Sequence, residues 1–357
     1  MRISSRCKYI SLAVLAALMS ACATTAPPPP AIYTPPAAPA PAPAPIIQAP
    51  APVVIQPLTI PARPADVRMN EALVRSAASH AGVMRRVTRA AAAPITTKDD
   101  LNRMMDDLTV MFSPTLGAGM TSYGAIVGAQ NTQFVDSVLD KAQFDGIDSV
   151  IYQLYASPDY ATGFSGSYAA AADIASAWRE DIAVIRSAGA QLKQQSYSLQ
   201  KDPAWKKQRA DSRKTRIAAL KASRNVLATI DNQSHRSIAA AGAVSSRDFD
   251  GPERTAAFWR AYAKSGVMAG GAQPVMNTRM KRALTLAALD VLGATDKKSS
   301  TWILNYTTTP GLNACTKWAR LHTEQCLAAG HYKYEDAYCI AQHQLTDGSD
   351  CLTKAGY

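Results

Sequence analysis

Between Tyr168 and Leu199 apolar residues recur at steps of three and four: Ile174, Trp178, Ile182, Ile185 and Leu192, with Gly189 in the same stripe. That period predicts an amphipathic α-helix, and a segment of this length at about 1.5 Å per residue makes a rod of roughly 48 Å. Asp202-Pro203 interrupts the rod, and Pro203 suits the first turn of a following helix. The second helix is expected to reach about Asp231, with Ile217, Leu220, Leu227 and Ile230 on one face. Two long helices joined by so short a break are expected to fold back as an antiparallel hairpin over about 168–231.

The flanking segments keep the helical period. Asp66 to Arg89 places Val67, Leu73 or Val74, Ala77 or Ala78 and Val83 to Val87 at three-to-four spacing, with Pro94 beyond. Thr97 to Phe112 follows, with Thr97 as cap, Asp99 and Asp100 in the first turn, and a stripe of Leu101, Met104, Met105, Leu108 and Phe112. The acid pairs Asp99-Asp100 and Asp106-Asp107 read as first-turn charge and a solvated face. Ser113 to Gly128 is glycine-rich but lacks a Gly-Lys-Ser/Thr ending, so Gly124 and Gly128 are expected to permit close helix approach. Further helices are expected over Thr132 to Gln143, Ile147 to Tyr155, Pro252 to Lys264 and Val275 to Leu292, with a loop over Ser234 to Ser246, a break over Gly266 to Pro274, and a short strand over Trp302 to Tyr306. The fold class is therefore all-α, a helical bundle over 66–300 followed by a smaller unit over 301–357.

At the N-terminus Arg2, Arg6 and Lys8 precede an apolar run from Ile10 to Met19, and Met19-Ser20-Ala21-Cys22 closes it. Such a run is too short to span a bilayer. The arrangement resembles bacterial lipoprotein signals, in which the peptide is removed before the cysteine and the cysteine is acylated. The resemblance covers residues 1–22 only. It implies that residues 1–21 are lost, that Cys22 carries the lipid, and, since Ala23 rather than Asp follows, that the anchor lies in the outer membrane with the folded part in the periplasm or at the cell surface. Ala23 to Ala65 then holds fifteen of the 22 prolines. Proline at that density favours polyproline II, and a tether of this length reaches roughly 130 Å if fully extended.

The formal charge of +11 has a location. Arg2, Arg6, Lys8 and Arg63 fall in the signal and tether, and Lys201 to Arg224 holds nine basic and two acidic residues. Lys206, Lys207, Arg209, Arg213, Lys214 and Arg216 are expected to form a solvated basic hairpin tip, suited to an acidic envelope protein or an anionic envelope polymer. A plain solvated helix end is the alternative, and no nucleic acid partner is expected. Tyr152 to Tyr168 is a second candidate surface through Tyr155, Tyr160 and Phe164, set against an inward-packed loop core.

Cys315, Cys326, Cys339 and Cys351 lie in a compartment that favours disulfides. Leu312 to Ala329 and Tyr334 to Leu345 both read as helical around Gly330. Cys315 and Cys326 then stand about 16 Å apart along one helix, beyond disulfide reach. The nested pairing, Cys326 with Cys339 and Cys315 with Cys351, fits a stapled helical hairpin. Zinc held by Cys339, His343, His322 and His331 is the competing reading, but no Cys-x-x-Cys pair is present and neither metal nor cofactor is expected. The histidines are then expected to be mostly surface or capping residues.

No catalytic constellation is read. Ser198-Leu199-Gln200-Lys201 lacks the companion motifs of Ser-x-x-Lys enzymes, Gly163 to Ser167 fails the nucleophile-elbow pattern, and the glutamates form no recognisable glycosidase pair. The expected role is a non-enzymatic interaction or scaffold protein of the cell envelope, held to the membrane by its lipid. The alternative is a cell-wall or polysaccharide-binding or hydrolysing protein with a site assembled from distant residues.

Overall fold

Leu116–Gly128 (α3) is buried at every residue, and the helices around it are arranged by how closely they can approach it. A computed structural model describes residues 71–222, 238, 274–294 and 299–357. Glu71–Ala92 (α1) and Lys98–Leu108 (α2) precede α3, and Thr132–Asp145 (α4), Ile147–Ala156 (α5) and Ser167–Lys201 (α6) follow it. Arg213–Ala222 (α7), Thr278–Val291 (α8), Ser299–Thr307 (α9), Pro310–Ala329 (α10) and Lys333–Cys339 (α11) come next, then a π-helical stretch over Ile340–Thr346 and Asp347–Lys354 (α12). Among the described residues no helix is long and apolar enough to cross a membrane.

The predicted cap of α2 is present in full. Thr97 Oγ1 accepts from the Asp100 N–H at 3.2 Å, and Asp100 Oδ2 accepts from the Thr97 N–H at 2.7 Å, a reciprocal capping box. Hydrogen bonds from the Thr96 hydroxyl and from the Thr96 and Thr97 N–H groups hold the Asp100 carboxyl well below the usual carboxylate range.

A helix apolar all round belongs at the centre of a bundle. α1, α6, α8 and α9 all pack on α3. Its small residues set the spacing. A Cβ at Gly124 would lie 2.7 Å from the Trp178 ring, and one at Gly119 would lie 3.0 Å from the Ser76 carbonyl. Trp178, fully buried on α6, also donates from Nε1 to the Met120 carbonyl at 2.9 Å. Tyr357 covers the same contact: its ring meets Trp178 edge-on at 4.9 Å, and its hydroxyl donates to the Gly117 carbonyl at 2.8 Å. Burial pushes the Tyr357 phenol above its ordinary range.

The rod read from the apolar stripe is α6, with Ile174, Trp178, Ile182, Ile185 and Leu192 all buried. Among the described residues its partners differ from those of the expected hairpin, whose returning half beyond Ala222 lies outside them. The chain leaves α6 through a short 3-10 turn at Trp205–Lys207, bridges to Tyr332 at Arg209, and re-enters helix at α7, which packs on α10. The reason is long-range: Ala210 N–H donates to the His331 carbonyl and Lys333 N–H to the Gln208 carbonyl, both at 3.0 Å, drawing this strap away from α6. The face of α6 assigned to the returning helix is covered instead by α1, α3, α11 and the π-helical stretch.

Trp302 to Tyr306, expected as a strand, lies within α9. Trp302 and Tyr306 stack at 4.5 Å, the four-residue spacing of a helix face. The segment after 300 contributes Ile303, Leu312, Leu327, Ile340 and Leu352 to the same buried cluster as α1 to α6. The signal, the tether, and the readings over 223–231, 234–246 and 252–264 lie outside the described residues, apart from the buried Ile238.

Candidate functional site

The nested disulfides are both formed, Cys315–Cys351 and Cys326–Cys339, each with Cα atoms 5.6 Å apart. The first ties α10 to α12 and the second ties α10 to the end of α11. The strap over 208–210 is zipped to residues 331–333 at the tip of this stapled unit, with Arg209 opposite Tyr332.

Beneath the strap lies a buried ion network. The Lys333 ammonium, 1% exposed, donates to Asn102 Oδ1 at 2.6 Å, Asp336 Oδ2 at 2.9 Å and Asp211 Oδ2 at 3.0 Å. Arg216, 5% exposed, donates to Asp336 Oδ1 at 2.7 Å and to the Gly330 carbonyl at 3.1 Å. Two cations and two carboxylates balance, and every ammonium proton has an acceptor, which is the condition under which burying such charges is tolerable. The hydrogen bond from Lys333 holds the Asp211 carboxyl below its ordinary range.

The basic residues therefore divide. Arg216, expected at a solvated tip, is a buried clamp, because Asp336 and the Gly330 carbonyl meet it from the stapled unit. Lys206, Lys207, Arg209, Arg213 and Lys214 are exposed, and none forms an ion pair among the described residues. The Arg209 guanidinium lies over the Tyr332 ring at 4.6 Å, and Tyr332 stacks on Tyr334 at 5.5 Å. Tyr334 in turn lines an open cleft of about 340 Å³ between α6 and the stapled unit, shared with Tyr197, Gln200, Glu335 and Tyr338. The strap and the cleft are neighbours joined by one aromatic stack. Glu335 Oε2 accepts from the His331 and Tyr332 N–H groups, so the cleft's carboxylate is occupied in capping α11.

The aromatic loop divides: Phe164 and part of Tyr160 pack inward, while Tyr152, Tyr155 and Tyr168 are exposed. Phe164 is buried and meets Phe134 and Tyr160 edge-on at 5.9 and 5.5 Å. Tyr160 is half-buried. Tyr155 remains partly exposed, but its hydroxyl donates to the Ala294 carbonyl at 2.8 Å and its ring meets Trp302 edge-on. The inward turn at Phe164 is permitted by Gly166, whose φ is +78° and where a Cβ would lie 2.6 Å from the Phe134 nitrogen of α4. Ser198 Oγ donates to the Gln194 carbonyl within α6.

The burial of His80, and the part of Asp347 beside His322 and His343, escaped the sequence reading. His80 is buried, with Nε2 2.6 Å from Asp181 Oδ2 across α1 and α6. The alanine-rich stripe around it was the signal. His322, His343 and Asp347 converge with one ligand atom of each within 4.8 Å of the others. His343 and Asp347 are four apart, a spacing visible in the sequence, whereas His322 arrives from α10. Cys339 is bonded to Cys326, and His331 lies outside the cluster. Compared with family models, curated proteins and solved structures, the chain matches none.

Proposed function

We propose that the chain is an outer-membrane lipoprotein, acylated at Cys22, whose helical body acts as a non-enzymatic interaction protein and meets an anionic envelope partner through its basic strap. The observation that carries this reading is the exposure of Lys206, Lys207, Arg209, Arg213 and Lys214, without acidic partners among the described residues, on a segment pinned to a doubly stapled unit. Exposed, unpaired cations held on a rigid frame attract anions with little ordering cost, and the attraction is screened by salt. The lipid would hold the body at the membrane, and the proline tether would set its reach.

The test has two arms. Metabolic labelling with a fatty-acid analogue is expected to mark the wild-type chain and to vanish in Cys22→Ser; persistent labelling contradicts the anchor. Retention of the mature protein on vesicles bearing phosphate headgroups is expected to fall with salt, and to fall again when Lys206, Lys207, Arg213 and Lys214 are changed to Glu. Retention that survives both contradicts the strap. A second reading, polysaccharide binding, is favoured by one observation, the tyrosines at 197, 334 and 338 around the open cleft, since aromatic faces suit sugar rings. Tyr338→Ala that lowers retention on cell-wall glycan, with vesicle binding intact, would select it.

A further inference from the structure

We propose that His322, His343 and Asp347 form a binding site for a divalent transition ion of the zinc type. Three consecutive pieces of the stapled unit supply the ligands: α10 gives His322, the π-helical stretch gives His343, and α12 gives Asp347. Asp347 Oδ2 lies 2.7 Å from His343 Nδ1 and 3.8 Å from His322 Nδ1. Ligand atoms about 2.0–2.1 Å from a tetrahedral zinc ion sit roughly 3.3–3.4 Å from one another, a spacing these two distances bracket. Closing the set requires the pair at 2.7 Å to part slightly and His322 to swing in. His322 is free to do so, its side chain being 50% exposed.

The chemistry of the donors selects the ion. Two imidazoles with one carboxylate suit zinc, copper or nickel, whereas magnesium and calcium require oxygen ligands. The thiols cannot compete, since all four cysteines of the unit are in disulfides.

Three further features favour a built site over a chance surface cluster. His322 lies between Cys315 and Cys326 in the chain, and His343 and Asp347 lie between Cys339 and Cys351, so both bridges constrain the backbones that present the ligands. The carboxylate is oriented from behind: Asp347 Oδ1 accepts from Gln342 Nε2 at 3.1 Å, and Gln342 Oε1 accepts from the Lys193 ammonium at 2.9 Å. That relay turns Oδ2 toward the histidines, as buffered carboxylate ligands require. His343 also sits mid-way along a π-helical stretch of seven residues, a costly backbone form that recurs at functional positions. With side-chain exposures of 50, 21 and 27%, the cluster opens to solvent and leaves coordination positions for water.

Equilibrium dialysis of the tag-free, oxidised, chelator-stripped full mature chain against zinc decides the matter. One zinc per chain is expected, with magnesium not taken up. His322→Ala, His343→Ala and Asp347→Asn should each weaken zinc uptake more than about tenfold, and His331→Ala should leave it unchanged. Non-reducing peptide mapping confirms both disulfides in each variant. Because His322 is exposed, its variant keeps the fold even if Asp347→Asn does not. No zinc uptake by the wild-type chain, or uptake unchanged in His322→Ala, would overturn the site and leave His343 and Asp347 as a helix-surface hydrogen bond.

Discussion

Around α3 the backbones approach until one added carbon at Gly124 would stand 2.7 Å from Trp178, whereas beyond Pro310 the helices stand far enough apart to hold two disulfides and a buried lysine. In the first region stability comes mainly from dispersion and apolar burial between small residues and one large ring, with the buried His80–Asp181 contact beside it. In the second it comes from covalent closure and a fully satisfied ion network. The strap, the tyrosine cleft and the His322–His343–Asp347 cluster all sit on or beside the second region. A glycine-spaced core admits no variation at its contact, while a stapled unit can spend its surface on polar groups because its backbone is already held.

Several substitutions sharpen this contrast. The largest effect is expected from Asp336→Ala, which leaves Lys333 and Arg216 facing each other without their shared carboxylate and should cost about 3–5 kcal/mol in denaturant unfolding. A loss under about 1 kcal/mol would mean that the network is solvated and the second region is held by its disulfides alone. Next comes the outer bridge. Replacing Cys315 and Cys351 by Ser should cost about 2–4 kcal/mol, and roughly 1 kcal/mol more than removing the inner one, because the closed loops span 36 and 13 residues.

In the first region Gly124→Ala should cost about 1–3 kcal/mol by overpacking against Trp178, while Gly163→Ala, with nothing within 4 Å of its Cβ, should stay within about 0.5 kcal/mol of wild type. Equal effects at the two glycines would remove close approach as the organising device. The smallest of the destabilising changes is Thr97→Ala, at about 1 kcal/mol for a lost cap. The same turn and the strap share a pH signature. Asp100 and Asp211 have folded pKa values below their unfolded ones, so the stability they lend is present above about pH 4 and is lost as pH falls through the folded values. Thermal melts from pH 5 to pH 3 check the direction.

What could be read from the sequence followed from local period and chemistry. The stripe of α6, the Thr97 cap, the nested cysteines and the spacing of Gly124 and Gly128 each depend on residues close in the chain, and the structure carries all four. Features joined across long separations could not be read. Arg216 looks like one charge in a basic run until Asp336, 120 residues away, meets it in the core. The strap looks helical from Pro203 onward because its partners, His331 and Lys333, belong to a different hairpin. α3 shows no stripe because it is apolar on every face, and the aromatic pair in α9 mimics a strand because Trp302 and Tyr306 are bulky. His343 and Asp347 were visible at helical spacing, but only the disulfide register brings His322 beside them.

Hydrogen exchange on the folded protein, oxidised and then reduced, tests most directly whether the two regions are held by different means. Reduction is expected to raise exchange over 310–357 and at the paired strap residues 208–210, while amides of α3 and of 167–185 keep their protection. Equal loss of protection over 116–128, or no change after Pro310, would contradict the account.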